Sequence, residues 1–165
     1  MKKENVILTC YSLLRKTTPL DFDCGKICNG KCCKGDNETG MLLLPGEEGL
    51  VDPNINIIEN EHGDKLAVCN GTCDRSRRPL ACRIYPLFPL VEKRDGEETI
   101  RVCFDYRADC PLTSTKCDYE FNKRFVKAVK RVGKYLLLND ETRAYYEEIS
   151  EMCADYYNLV EKFKK

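Results

Sequence analysis

The chain has 165 residues, enough to bury a core as one domain without covalent staples. Its 27 Lys and Arg balance 27 Asp and Glu, so the net charge is zero, which argues against the basic excess of a broad nucleic-acid binder. Twelve cysteines, about 7% of the chain, exceed ordinary usage but fall below the density of a disulfide scaffold.

The compartment decides how those cysteines are read. The N-terminus carries a short apolar run, Val6 to Leu14, with no small-residue cleavage site, so it does not read as a signal peptide. No other run approaches the roughly 18 apolar residues of a membrane span. The expected location is therefore the cytoplasm, where thiols stay reduced. Clustered thiols there point to metal ligands rather than disulfides.

In chain order, residues 4–16 read as a helix, with Val6, Ile7, Cys10, Leu13 and Leu14 on one face. Cys10 on that face reads as a small buried hydrophobe. Thr17, Thr18 and Pro19 end the helix. Residues 20–40 form a cysteine loop punctuated by Gly25, Gly30, Gly35 and Gly40, as turns around sulfur require. Met41–Leu44 reads as a short buried strand, and Pro45-Gly46-Glu47-Glu48 as a helix start with acids in its first turn. Residues 54–60 and 65–68 predict a hairpin around Glu61–Asp64 that delivers Cys69. His62 at its tip, the only histidine, reads as solvated.

Residues 69–89 hold three prolines and no helical period, which predicts fixed, irregular backbone. Leu90–Arg94 and Thr99–Cys103 flank Asp95-Gly96, a hairpin turn signal. Residues 104–117 read as a loop carrying Cys110-Pro111 and Cys117. Asp118 is the expected cap of a helix over 119–138. Its apolar face is Phe121, Phe125, Val129, Val132, Leu136 and Leu137. Asn139-Asp140 breaks it. A last helix spans 141–163, with Tyr145, Ile149, Met152, Cys153, Tyr156, Leu159, Val160 and Phe163 expected inward. The short connection predicts an antiparallel helical hairpin over 118–165.

The chemistry concentrates in two groups. Cys24, Cys28, Cys32 and Cys33 fall within ten residues, and Cys69, Cys73 and Cys82 follow. Thiolates are soft ligands for zinc and for iron–sulfur clusters, and ligands close in sequence cost little loop-closure entropy. Adding Cys110, whose Cys-Pro context suits a cluster ligand, gives eight expected metal ligands. Eight suit two four-coordinate sites, or one cluster and one zinc. Cys103 and Cys117 are reserves. Arg75, Arg77, Arg78 and Arg83 surround Cys73 and Cys82. Arg78 and Arg83 are expected to shape and neutralise the site, since positive charge offsets thiolates. The first run is near the three-cysteine motif of radical S-adenosylmethionine enzymes. Its second gap is one residue too long, and the chain is short for their barrel, so that reading is rejected.

Cys32-Cys33, Cys73, Arg78-Pro79-Leu80-Ala81-Cys82-Arg83 and Tyr85-Pro86, with Cys69 ahead of them, resemble the YkgJ-like CxxCxxCC proteins. These are described as zinc- or iron-chelating domains with a distant link to flagellin lysine N-methylase. The resemblance covers roughly residues 20–90, and the first cluster has three-residue gaps where the family has two. It implies a metal centre, zinc or alternatively an iron–sulfur cluster.

The expectation from the sequence is an α+β fold. A cysteine-rich metal-binding region over 20–117, with short hairpins, packs on N- and C-terminal helices in one domain spanning 1–165. The leading function is cysteine-ligated metal binding. The alternative is a methylase-like enzyme that modifies protein side chains with an iron–sulfur centre, although no glycine-rich strand–helix turn or supported Cys–His pair is present. The metal is the expected partner, and a protein partner is left open.

Overall fold

The computed structural model describes residues 1–33, 40–114 and 117–164. Its core is made by helices and one β-ribbon that lie far apart in sequence. Helix α1 (Lys3–Leu14) buries Val6, Ile7, Cys10, Tyr11 and Leu14, the i, i+3, i+4 stripe of an amphipathic helix. It stops two residues before the expected end. The Arg15 and Thr17 amides turn back to Ser12 and Leu14 in tighter three-residue bonds. A single turn, α2 (Gly25–Cys28), follows in the cysteine loop.

Three short strands come next: β1 (Met41–Leu42), β2 (Asn56–Glu59) and β3 (Lys65–Val68). They pair antiparallel in the order β1-β3-β2. Leu43, Val51, Ile55 and Ala67 form a small core around this sheet, with Cys73 packed against it. Gly40 enters the sheet so closely that a Cβ there would sit 2.8 Å from the Ala67 carbonyl oxygen. The expected helix at Pro45–Glu48 does not form. Glu47 instead turns inward and is fully buried, because three donors await it there.

The stretch expected to be wholly irregular contains a short helix, α3 (Leu80–Ile84), directly after Pro79. Too few residues are helical there to show a period, and Leu80 and Ile84 are its buried side. The ribbon follows as β4 (Leu87–Arg94) and β5 (Glu97–Phe104), paired from Leu87↔Phe104 to Arg94↔Glu97. Asp95 and Gly96 both take positive φ, 53° and 82°, as the two-residue turn requires. The ribbon begins three residues earlier than expected and runs through Pro89. Each strand of a two-stranded ribbon has an open edge, where proline is tolerated.

Helix α4 spans Lys123–Leu136 and α5 spans Asp140–Phe163. The expected cap at Asp118 is replaced by Asn122, whose side chain accepts from the Arg124 amide. Asn122 is held ahead of the helix by its amide to the Pro19 carbonyl and its side chain to Asp21. Asn139, read as a breaker, caps α5 by accepting from Glu141 and Thr142. α4 packs on α1 and the ribbon, and α5 packs on β4; the two helices touch each other only slightly. Tyr146 Oη donates to the Pro89 carbonyl and Ser150 Oγ accepts from the Val91 amide at 2.8 Å, so α5 closes the open edge of β4.

Only part of the expected inner face of α5 is buried. Ile149 and Cys153 pack into the core, while Met152, Tyr156, Leu159 and Phe163 are 40–79% exposed. The helix outruns the ribbon that covers its first half. The architecture is α+β, with five α-helices and two small antiparallel sheets among the described residues. None of those helices is long and apolar enough to cross a membrane.

Candidate metal centre

Three segments bring the expected ligands together. Cys24 and Cys28 bracket α2, whose start is held by the Gly25 amide on Asp23 Oδ1 at 3.0 Å. Asn29 and Gly30 then take positive φ, 52° and 65°. This double left-handed step reverses the chain into a 3₁₀ turn, Lys31–Cys33. The second segment leaves β3 at Cys69. Asp52 braces it by accepting from the Asp74 amide and the Asn54 amide. Asp74 in turn caps the 3₁₀ turn Arg75–Arg77. Cys82 rides on α3, whose Leu80 amide donates to buried Glu47. The third segment sets Cys110 ahead of a 3₁₀ turn at Pro111–Thr113. Tyr85 Oη, donating to the Ala108 carbonyl at 2.9 Å, fixes its approach.

Ion pairs tie the segments to one another. Arg75 reaches Asp23 at 3.3 Å, and Lys31 pairs with Asp109 beside Cys110. Both pairs are exposed, so each contributes little stability and mainly sets register.

Two adjoining cavities result. The larger, about 620 Å³, is walled by Cys24, Cys28, Cys32, Cys33, Cys82 and Cys110. The smaller, about 260 Å³, is walled by Cys32, Cys33, Cys69, Cys73 and Cys82. Arg78 and Tyr85 line both. Every one of the eight expected ligands therefore faces a cavity. Of the other cysteines, Cys10, Cys103 and Cys153 are buried in the core, and Cys117 lines neither cavity. All twelve cysteines lie among the described residues and are free thiols. Among those residues, no three His, Cys, Asp or Glu side chains are grouped closely enough to hold a metal ion. The thiols make a lining, and the walls must draw in to make a cage. His62 is far out on the hairpin tip, 75% exposed, with Glu61 3.6 Å away.

The electrostatics group Cys110 with Cys24 and Cys28, and Cys33, Cys73 and Cys82 around Arg78, with the Cys32–Cys33 pair joining the two groups. Burial raises Cys24 and Cys110, and nearby Cys28 raises both further. Burial pushes Cys82 up to about 12, against the lowering pull of Arg78. A side-chain hydrogen bond between Cys32 and Cys33 lets the pair hold one negative charge more readily than two, which lowers Cys33 and raises Cys32. Burial lowers Arg78, but its hydrogen bond to Cys73 and the nearby Cys33 and Cys82 outweigh this and raise it overall. Arg78 is thus a cation placed among the thiols, and Arg75 acts from the larger cavity's wall on Cys24 and Cys33. Arg83 acts on the backbone instead. It donates to the Arg78 carbonyl at 2.6 Å and the Ser76 carbonyl at 2.7 Å, with its guanidinium 4.0 Å over the Tyr11 ring.

Sequence reasoning missed Glu47, Asp52 and Tyr11, which brace the site without a motif of their own, and it had Tyr85 only as part of the Tyr85-Pro86 match, with no bracing role. Asp109 adds a carboxylate to the lining of both cavities, and only its place beside Cys110 hinted at that. No protein-family model, no curated protein and no solved structure matches the chain, so what this centre holds is read from its own residues.

Proposed function

We propose that the chain binds zinc through clustered cysteine thiolates, at two four-coordinate positions that share a wall. The observation that supports this is the sorting of the cysteines: the eight expected ligands line two adjoining cavities, and the other four do not. Cys24, Cys28 and Cys110, which line only the larger cavity, serve it together with Cys32; Cys69 and Cys73, which line only the smaller, serve it together with Cys33 and Cys82, the other thiols around Arg78.

Zinc suits these donors because it takes four thiolates tetrahedrally at about 2.3 Å. Binding requires the raised thiols to lose protons, so the metal and the closing of the walls are coupled. Arg78 offsets part of the negative charge of the thiolates. Arg83 holds the 76–78 backbone against α3 and keeps Cys73 and Cys82 in register. Reduced thiols in the cytoplasm fit this reading, and so does the resemblance to the YkgJ-like metal-chelating domains.

An iron–sulfur cluster in the larger cavity is the second reading, favoured by Cys110-Pro111 at its wall. The methylase-like alternative finds less support. Both sheets are antiparallel, and no parallel strand–helix–strand unit of the nucleotide-binding kind occurs among the described residues.

Anaerobic purification followed by elemental analysis and a visible spectrum on one sample tests the proposal. A colourless protein with two zinc ions per chain is the expected result. A brown protein with iron and acid-labile sulfide would replace zinc by the cluster reading. No bound metal after reconstitution with zinc and with iron and sulfide would refute metal binding altogether.

A further inference from the structure

The exposed apolar residues of α5 have a regular spacing. Met152, Tyr156, Leu159 and Phe163 are separated by four, three and four residues, the a/d pattern of a coiled-coil seam. The stripe spans about 16 Å of helix. It lies to one side of the face that the core covers, where Tyr146, Ile149, Ser150 and Cys153 are buried. Single exposed apolar residues are ordinary, but four on one stripe of one helix make a seam without a partner.

The flanking charges indicate which partner fits. With Tyr156 and Phe163 at a, and Met152 and Leu159 at d, Asp155 and Lys162 fall at g. Both are exposed, and neither is in an ion pair among the described residues. In an antiparallel pair of identical helices, g faces g of the other copy. Stacking Met152 on Phe163 and Tyr156 on Leu159 of a second copy then brings Asp155 opposite Lys162 twice, both pairs along the g flank of the seam. A parallel pair would set Asp155 against Val160 and gain no charge pair. The e positions, Cys153 and Val160, are uncharged in either arrangement and introduce no repulsion.

We propose that two copies of the chain associate through an antiparallel, two-fold seam of α5 built on Met152, Tyr156, Leu159 and Phe163, with Asp155–Lys162 pairs at its edge. The same patch on both copies gives a closed dimer. Four layers form a small interface, so the dimer is weak, with a dissociation constant on the order of micromolar. The proposal is independent of the metal reading, because the seam uses no residue of either cavity.

Sedimentation velocity over a dilution series of the full chain, in reducing buffer at fixed metal content, tests it. The wild type should shift from monomer to dimer, and Leu159→Glu should stay monomeric with an unchanged circular dichroism spectrum. Asp155→Lys alone and Lys162→Asp alone each turn two attractive pairs into two repulsive ones and should weaken the dimer about tenfold. Mixing those two variants restores opposite charges at every pair and should recover dimer. A monomer at every concentration would overturn the proposal. So would a dimer indifferent to Asp155→Lys, which would place the contact elsewhere or in parallel, or a mixture that fails to recover.

Discussion

Replacing Glu47 by alanine should destabilise the protein severely, although no cysteine is touched. The Glu47 carboxylate is fully buried. It accepts from the Tyr11 hydroxyl at 2.7 Å, from the Leu44 amide at 3.0 Å and from the Leu80 amide. Those three groups belong to α1, the end of the β1 run and α3. Alanine leaves all three donors buried without an acceptor, at about 1–3 kcal/mol each. The carboxylate's own burial, which raises its pKa, offsets part of this. A net loss of about 3 kcal/mol is expected, or roughly 6–12 °C in Tm for a chain of this size. Glu47→Gln keeps one acceptor oxygen but turns an NH₂ toward one of the donors, so it should lose about 1–2 kcal/mol. Urea unfolding of the metal-free protein, followed by circular dichroism, measures both. The Leu80 amide opens the helix that carries Cys82, so Glu47→Ala should also weaken metal binding. An alanine variant within about 0.5 kcal/mol of wild type would refute this account of the buried carboxylate.

Cys33→Ser and Cys82→Ser should each lose bound metal by elemental analysis, while Cys153→Ser keeps the wild-type stoichiometry. Full metal retention in both site variants would sink the ligand assignment. Gly133→Ala should destabilise by about 1–2 kcal/mol despite the better helix propensity of alanine. Its Cβ would lie 2.6 Å from the Tyr146 hydroxyl and 2.9 Å from Ile100 and Pro89, and the hydroxyl is tied to the Pro89 carbonyl. Thermal unfolding checks the sign. Hydrogen bonds from the Asp74 amide hold Asp52 below the usual carboxylate range, and the Ser76 amide does the same for Asp74. Their stabilisation is present above the unfolded value near 3.8 and is lost as pH falls through the depressed values. Denaturant midpoints below about pH 4 should therefore fall less steeply in Asp52→Asn than in wild type; equal slopes would contradict the assignment.

The parts legible in the sequence were those with a local physical cause. Asp95-Gly96 demanded its turn, and the α1 stripe and the 3.6-residue period of α4 announced their faces. Cys10 and Cys153 sat on apolar stripes and proved to be core. The cavity-lining cysteines were legible because spacing and Arg-Pro context set them apart. What escaped depended on distant partners. Glu47 reads as a helix acid until Tyr11 and Leu80 arrive from elsewhere in the chain. β4 runs through Pro89 because proline's missing N–H falls on the strand's open edge, where α5, sixty residues on, supplies hydroxyls to the Pro89 carbonyl and the Val91 amide. The apolar stripe of α5 looked like core because periodicity reports that a face is apolar, not what covers it. Gly35, expected to punctuate the cysteine loop, lies outside the described residues.

The pairing of α1 with α4 also bears on how the chain is made. Helix α4 follows α1 about 110 residues later, so at the usual pace of synthesis α1 waits roughly 5–20 s for its partner. During that interval every segment that walls the two cavities has been made, but the helical frame beneath them has not closed. The thiols are then open to oxidants and stray metal ions, because the burial that covers Cys10, Cys103 and Cys153 needs the finished frame. Expression under strong aeration or metal overload should therefore lower the yield of folded protein more than the same treatment applied to the finished chain.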